Sequence, residues 1–157
     1  MKVSLITACY NSATAIRTCF DSVFSQQGVD LEYIVVDGGS KDGTVDVIKK
    51  YSTRSTRSTR FEFRWLSERD EGMYDAINKG IKMATGDIVG ILNADDMFES
   101  DNTLAHVVEA FGSGGVESEG VGERVDCVYA DIRFVKDDLQ TTSRYYSAKH
   151  WKPWMLQ

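Results

Sequence analysis

The run Ile88-Val89-Gly90-Ile91-Leu92-Asn93-Ala94-Asp95-Asp96 brings an apolar segment to an abrupt end at two adjacent carboxylates. The five residues before Asn93 predict a strand buried on both faces. Such strands belong to parallel α/β sheets, whose ligands sit beyond the carboxyl ends of the strands. Asp95 and Asp96 would then stand at the mouth of a site as hard oxygen ligands. Mg2+ or Mn2+ commonly binds one or two carboxylates while substrate phosphates complete its shell, so the pair points to a phosphate-bearing substrate. The competing reading is turn and helix-cap chemistry. What other segments bring to the same edge decides between them.

Two further strand ends carry polar groups. Residues 2–7 alternate and are rich in β-formers, predicting a first strand that leads to Tyr10-Asn11. Residues 31–36 predict a second, ending at Asp37 and the glycine-rich turn Gly38-Gly39-Ser40-Lys41-Asp42-Gly43-Thr44. In a parallel sheet these ends share one edge with residues 93–96. An aromatic can stack on a base, a buried carboxylate can accept from a base or ribose donor, and the acidic pair can hold a diphosphate. The edge therefore has the parts for a nucleotide. Singly, each residue has a plainer reading: Tyr10 as core, Asp37 as a turn cap, the glycines as backbone punctuation.

The elements that must position these groups follow from periodicity. Ile16, Cys19, Phe20, Val23 and Phe24 recur at helical spacing behind a Ser12 or Thr14 cap. Val45, Ile48 and Tyr51 mark a second, short helix, and residues 61–66 a third strand. Residues 73–85 predict a helix with Ile77, Ile81 and Ala84 inward and Gly86 as its C-terminal cap. Ser100 or Asp101 caps a last helix bearing Leu104, Val107, Val108 and Phe111. Strands alternating with helices predict an α/β fold, a doubly wound, mostly parallel sheet flanked by helices. Residues 52–60 repeat Ser-Thr-Arg three times and read as a solvated loop, with phosphate contact by Arg54, Arg57 or Arg60 as the alternative. Residues 112–123 read as a flexible acidic connector, and 125–130 and 132–135 as strands. Lys136-Asp137-Asp138 turns the latter into 139–146. The aromatic residues 151–157 call for further structure to cover them.

A 157-residue chain suits one domain, 1–157. Its net charge of −6 argues against nucleic-acid or anionic-membrane binding, which require a basic surface. No apolar run approaches the roughly 20 residues needed to span a bilayer, so membrane association is at most peripheral. The N-terminus lacks a signal-peptide pattern. Cys9, Cys19 and Cys127 have no metal-type spacing, and reduced cytoplasmic thiols are expected. His106 and His150 lack partners at metal or catalytic spacing. Self-association as a homodimer is left open.

Val3-Ser4-Leu5-Ile6-Thr7-Ala8-Cys9-Tyr10-Asn11 followed by Glu32-Tyr33-Ile34-Val35-Val36-Asp37-Gly38-Gly39-Ser40-Lys41-Asp42-Gly43-Thr44 resembles the opening of family 2 glycosyltransferases. Ser67-Glu68-Arg69-Asp70-Glu71-Gly72-Met73-Tyr74-Asp75-Ala76-Ile77-Asn78-Lys79-Gly80, then Ala84-Thr85-Gly86-Asp87 leading into Asn93-Ala94-Asp95-Asp96, is similar to the branch that builds bacterial surface polysaccharides. The resemblance implies the GT-A nucleotide-sugar-binding fold. It implies a metal-dependent, inverting transfer of a sugar from a nucleoside-diphosphate donor, a UDP-sugar in the first instance, to a saccharide or lipid-linked acceptor. Asp95-Asp96 occupies the DXD metal position, with Asp96 the direct ligand of Mn2+ or Mg2+. Ala8 and Tyr10 border the base, Asp37 bonds the uracil or its equivalent, and Asp70 approaches the nucleotide. Residues 1–111 would be the nucleotide-sugar-binding core and 112–157 the start of an incomplete acceptor-side portion. The family's general base lies well downstream of the metal motif, in an acceptor-side segment expected to be absent from this chain; Asp131, after Val128-Tyr129-Ala130, is expected nearer the sugar and is only a minor candidate for the base. The alternatives are a non-catalytic sugar-nucleotide binding module and a sugar-1-phosphate nucleotidyltransferase. The latter expects a glycine-rich, arginine-bearing loop where residues 8–13 have neither. Phosphate-loop and dinucleotide fingerprints are absent.

Overall fold

The computed structural model describes residues 1–54, 60–112 and 125–148. The chain divides into two compact units, Met1–Glu109 and Ala110–Gln157. The first alternates β1 (Lys2–Cys9), α1 (Ile16–Phe24), β2 (Asp30–Asp37), α2 (Thr44–Ser52), β3 (Phe61–Ser67), α3 (Met73–Met83) and β4 (Ile88–Ile91), then enters α4 (Thr103–Gly112). All four strands run parallel in the order β3-β2-β1-β4, the arrangement that strand–helix alternation predicts.

β1 and β2 are central, and Val3, Leu5, Ile6, Leu31, Tyr33, Ile34, Val35 and Val36 are all but inaccessible. Both faces of these strands are covered, which is why their sequence reads as apolar runs rather than alternation. Neighbouring strand residues point to opposite faces. Tyr33 therefore meets Phe20 of α1 and Phe63 of β3, in a cluster that takes in Phe24, Tyr51 and Phe61. Ile34, with Ile6 and Val36, packs instead against Ala76 of α3. Gly80 lets α3 lie close on the sheet, since a Cβ there would come within 2.5 Å of Ile6 Cγ2. Arg54 stacks over Tyr51 at 4.9 Å and pairs with Asp21 at 3.4 Å, so this arginine of the repeat closes the aromatic cluster. Residues 55–59, with Arg57, lie outside the described residues, as do most of the acidic connector and the aromatic tail.

Several local expectations are corrected. β4 is not buried on both faces: Val89 is 47% and Ile91 54% exposed, and only Ile88 and Leu92 turn inward. It is an edge strand, with β1 its one partner among the described strands, and an apolar run cannot distinguish an edge from a centre. α3 ends at Met83 with an extended Ala84 as its cap, and Ile81 is 46% exposed. Gly86 is not that cap; it packs beside β1, where a Cβ would meet the Lys2 carbonyl at 2.7 Å. α1 begins without a side-chain cap, the Ser12 carbonyl accepting from the Ala15 and Ile16 amides instead.

Near the amino ends of the strands lies a buried charged group that no sequence pattern marks. Glu32 is fully buried and accepts from Ser4 Oγ (2.5 Å), the Thr85 amide (2.8 Å), Thr85 Oγ1 (3.1 Å) and Arg64 (2.8 Å). Burial opposes its ionisation, but these bonds outweigh it and hold the carboxyl down at about 2.

In the second unit, β5 (Ile132–Val135) and β6 (Thr142–Tyr146) form an antiparallel hairpin. The strand expected over 125–130 does not form. Among the described residues no helix is long and apolar enough to cross a membrane.

Candidate functional site

Strand register assembles the site. Cys9 pairs with Asp37 and Asp37 with Ser67, while Ile6 pairs with Ile91. All four strands thus end on one edge of the first unit, as a parallel sheet requires. A cleft of about 830 Å³ opens there, within the range of small-molecule sites. Strand order sets its loops side by side: Arg69 and Asp70 after β3, Gly38 after β2, Ala8 to Ser12 at the end of β1, and Asn93 to Asp95 after β4.

The first two loops are stitched together. Asn11 adopts a positive φ of 49°, a conformation asparagine tolerates better than most residues. Its amide donates to Ser40 Oγ (2.7 Å) and its Oδ1 accepts from the Lys41 amide (2.9 Å). The Ser12 amide donates to Thr44 Oγ1 and the Ala13 amide to Asp42. Hydrogen bonds from the Thr44 hydroxyl and the Ala13 amide keep the Asp42 carboxyl below its ordinary range. This leaves the Tyr10 ring projecting from a fixed backbone, 60% exposed.

Ala8, Tyr10, Asp70 and Asp95 line the cleft as expected, and two expected residues do not. Asp37 is fully buried. It accepts from the Gly39 and Ser40 amides (3.1 Å each), Ser67 Oγ (2.6 Å), the Ser40 hydroxyl and the Cys9 thiol (3.8 Å). Its carboxylate shapes the turn, and these donors engage both of its oxygens. Asp96 is exposed but off the cleft wall, and its Oδ2 accepts from Asn93 Nδ2 (2.8 Å). Asp131 belongs to the second unit, where it accepts from the Tyr145 hydroxyl and the Ala148 amide.

Gly38 and Asp70 depend on one another. A Cβ on Gly38 would lie 2.6 Å from Asp70 Oδ2, and Asp70 Oδ1 accepts from the Gly72 amide (3.0 Å). Lys79 is an anchor: it donates to the Arg69 carbonyl (3.2 Å) and pairs with Glu68 (2.9 Å) and Asp75 (3.2 Å). Arg69, the one cation among the described residues that line the cleft, is not among the residues that the sequence singles out. Its signal was a lone basic side chain in an acidic stretch just past a strand end. Cys9 also lines the cleft, but burial and the neighbouring Asp37 push its thiol far up, so it is no nucleophile.

Asp95 and Asp96 fit a hard divalent ion. The Asp95 carboxylate has no hydrogen-bond donor among the described residues, and Asp96 keeps Oδ1 available. No group of three or more acidic, histidine or cysteine side chains is clustered among the described residues, so substrate oxygens and water would complete the shell, as Mg2+ and Mn2+ accept.

Comparison with known proteins bears on the fold and the family. A PGL/p-HBAD biosynthesis glycosyltransferase of Mycobacterium bovis is 33% identical over 129 residues, 82% of this chain and 46% of that protein. The putative glycosyltransferase EpsH of Bacillus subtilis is 34% identical over 99 residues, 63% of this chain and 27% of that one. The chain thus spans less than half the length of these relatives. Among solved structures, mannosyltransferase PcManGT of Pyrobaculum calidifontis, in complex with GDP-Man and Mn2+, has a TM-score of 0.62 and 30% identity over 69% of this chain and 31% of that one. S. aureus TarS 1-349 in complex with UDP-GlcNAc has a TM-score of 0.62 and 26% identity over 77% of this chain and 37% of that one. The fold is GT-A. Residues 4–152 match glycosyl transferase family 2, and the chain belongs to that family.

Proposed function

We propose that the first unit binds a nucleoside-diphosphate sugar, with UDP as the nucleotide, and presents it for metal-dependent, inverting transfer to a saccharide or lipid-linked acceptor. The observation that carries the reading is the cleft, where the Tyr10 ring, Asp70 and Arg69 share one space with Asp95. Tyr10 and Ala8 border the base, and Asp70 accepts from the nucleoside. Arg69 and the Asp95–Asp96 corner face the diphosphate. Asp95 and Asp96 would hold a divalent ion, which when bound would supply Lewis-acid stabilisation to the departing diphosphate. Arg69 adds a fixed positive charge to the same leaving group. The acceptor's proton must go to a positioned base. We assign that base to the acceptor side of the protein rather than to the residues that line the donor cleft. A solved relative bound to UDP-GlcNAc and another bound to GDP-Man and Mn2+ support the donor class. Three free cysteines support a reducing, cytoplasmic setting.

Isothermal titration with UDP, in Mn2+ and in EDTA, tests the reading. Binding that tightens with Mn2+ is expected, and no binding in either condition overturns it. Release of UDP from a UDP-sugar separates a transferase from a non-catalytic binding module. Gly38→Ala is expected to weaken UDP roughly tenfold, about 1.4 kcal/mol, because the new methyl displaces the Asp70 carboxylate. Unchanged affinity in that variant would remove Asp70 from the nucleotide site.

A further inference from the structure

Four groups that the donor reading does not use lie in one line through the core of the first unit. The Tyr33 hydroxyl donates to Thr7 Oγ1 (3.0 Å), and Thr7 Oγ1 donates to the Leu92 carbonyl (2.9 Å). A hydroxyl carries one hydrogen, so both are used. The Cys19 thiol, 3.6 Å from the Tyr33 oxygen and 4.0 Å from Thr7 Oγ1, is left to donate to one of them. Thr7, Cys19 and Tyr33 are fully buried. The hydroxyl relay runs one way, from Tyr33 through Thr7 to the carbonyl just before Asn93.

That end point matters because of where β4 stops. Its register with β1 ends at the Ile6–Ile91 pair, and the Leu92 amide adds a bond to the Ile6 carbonyl (3.0 Å). Thr7 takes over at the next position, so Ile6 and Thr7 between them hold both polar backbone groups of Leu92. The turn of residues 93–96, closed by the Asp96 amide on the Asn93 carbonyl (3.1 Å), starts from a fixed residue. A valine would fill the same space at position 7 without the desolvation cost of a buried hydroxyl. Packing alone therefore does not explain the threonine.

We propose that Thr7, backed by Tyr33, is a positioning residue that fixes the acidic turn for its ion and diphosphate; the role rests on the donor-binding reading above. Burial drives the Tyr33 hydroxyl well above its ordinary range and pushes Cys19 up to about 11. The relay consequently stays protonated and intact across the neutral range.

Three variants test this: Thr7→Val, which keeps the shape and loses the hydroxyl; Thr7→Ser, which keeps the hydroxyl; and Thr7→Val with Tyr33→Phe, which also removes the stranded phenol. Amide hydrogen exchange across residues 93–96 is measured in the ligand-free protein, Mn2+ affinity in the presence of UDP, and thermal midpoint. Thr7→Val is expected to speed exchange in the turn and weaken Mn2+ roughly tenfold, as loss of an outer-shell partner does. Thr7→Ser restores both. The double variant regains thermal midpoint but neither exchange protection nor Mn2+ affinity. Unchanged exchange in Thr7→Val, or Mn2+ affinity that returns with stability in the double variant, overturns the proposal. Should Thr7→Val fail to fold, the double variant carries the comparison with Thr7→Ser. If wild-type protein binds no UDP, the donor reading fails and with it the ion's part in the proposal. Exchange then decides alone whether Thr7 fixes the turn.

Discussion

Asp96→Ala is expected to bind UDP with the same affinity in Mn2+ as in EDTA, whereas the wild-type protein gains roughly a hundredfold from the ion, about 3 kcal/mol. Both Asp95 and Asp96 are exposed, so neither substitution removes packing, and the change in stability should stay within about 0.5 kcal/mol. The structure makes Asp95→Ala the necessary companion. Asp95 lines the cleft, while Asp96 stands beside it with one oxygen on Asn93; the resemblance implies Asp96 as the direct ligand, and that assignment is what the pair of variants tests. Titration of both variants with and without Mn2+ separates the two carboxylates. Retained Mn2+ dependence in Asp96→Ala with loss in Asp95→Ala would reverse the assignment, and retention in both would end the metal-site reading.

Glu32→Gln is expected to lose about 3 kcal/mol of stability at neutral pH, and the loss should vanish in strong acid. The carboxyl titrates near 4.5 when free and at about 2 in the folded protein. Between these values the unfolded chain binds more protons than the folded one, so stability rises with pH. The contribution is therefore complete above about 4.5 and disappears as pH falls through about 2. Two and a half units at about 1.36 kcal/mol each give the magnitude. Replacing the carboxylate also turns an amide N–H2 toward a site built of donors: Ser4, Thr85 and Arg64. Urea unfolding from pH 7 down to 2 checks this. A wild-type curve that is flat over that interval, or one that Glu32→Gln merely shifts without flattening, would show that Glu32 is not the titrating group.

The alternation of strands and helices was legible in the sequence because its strongest periodicities come from the layers themselves. β1 and β2 are apolar along their length, and α1 repeats Ile16, Cys19, Phe20 and Val23 on one face. The polar residues that close those strands were legible for the same reason: Tyr10, Asp37 and Asp95 stand where an apolar pattern breaks. Short or edge elements were less readable. β4 carries the composition of an interior strand yet exposes Val89 and Ile91, since its place at the edge depends on what pairs beside it. The α3 terminus was misplaced because Ala84 leaves the helix to bring the Thr85 and Gly86 amides to Ser4 and Glu32, partners some fifty and eighty positions away in the chain.

The sequence alone determined the kind of protein: an α/β chain whose strand ends carry an aromatic ring and an acidic pair, in blocks matching a glycosyltransferase family. Those features are written in residue type and spacing, which local chemistry fixes. The tertiary structure decided which carboxylates face the cleft. It saturated Asp37 beneath the turn, drew Arg69 into the wall through Lys79, aligned Tyr33 and Thr7 behind the acidic turn, and buried Glu32 among donors. Apart from the Lys79–Arg69 contact, ten positions long, these outcomes depend on groups 26 to 85 positions apart meeting at hydrogen-bond distance. The register of β2 with β1 and β3, and of β1 with β4, sets most of these meetings, and it joins strands that are far apart in the chain.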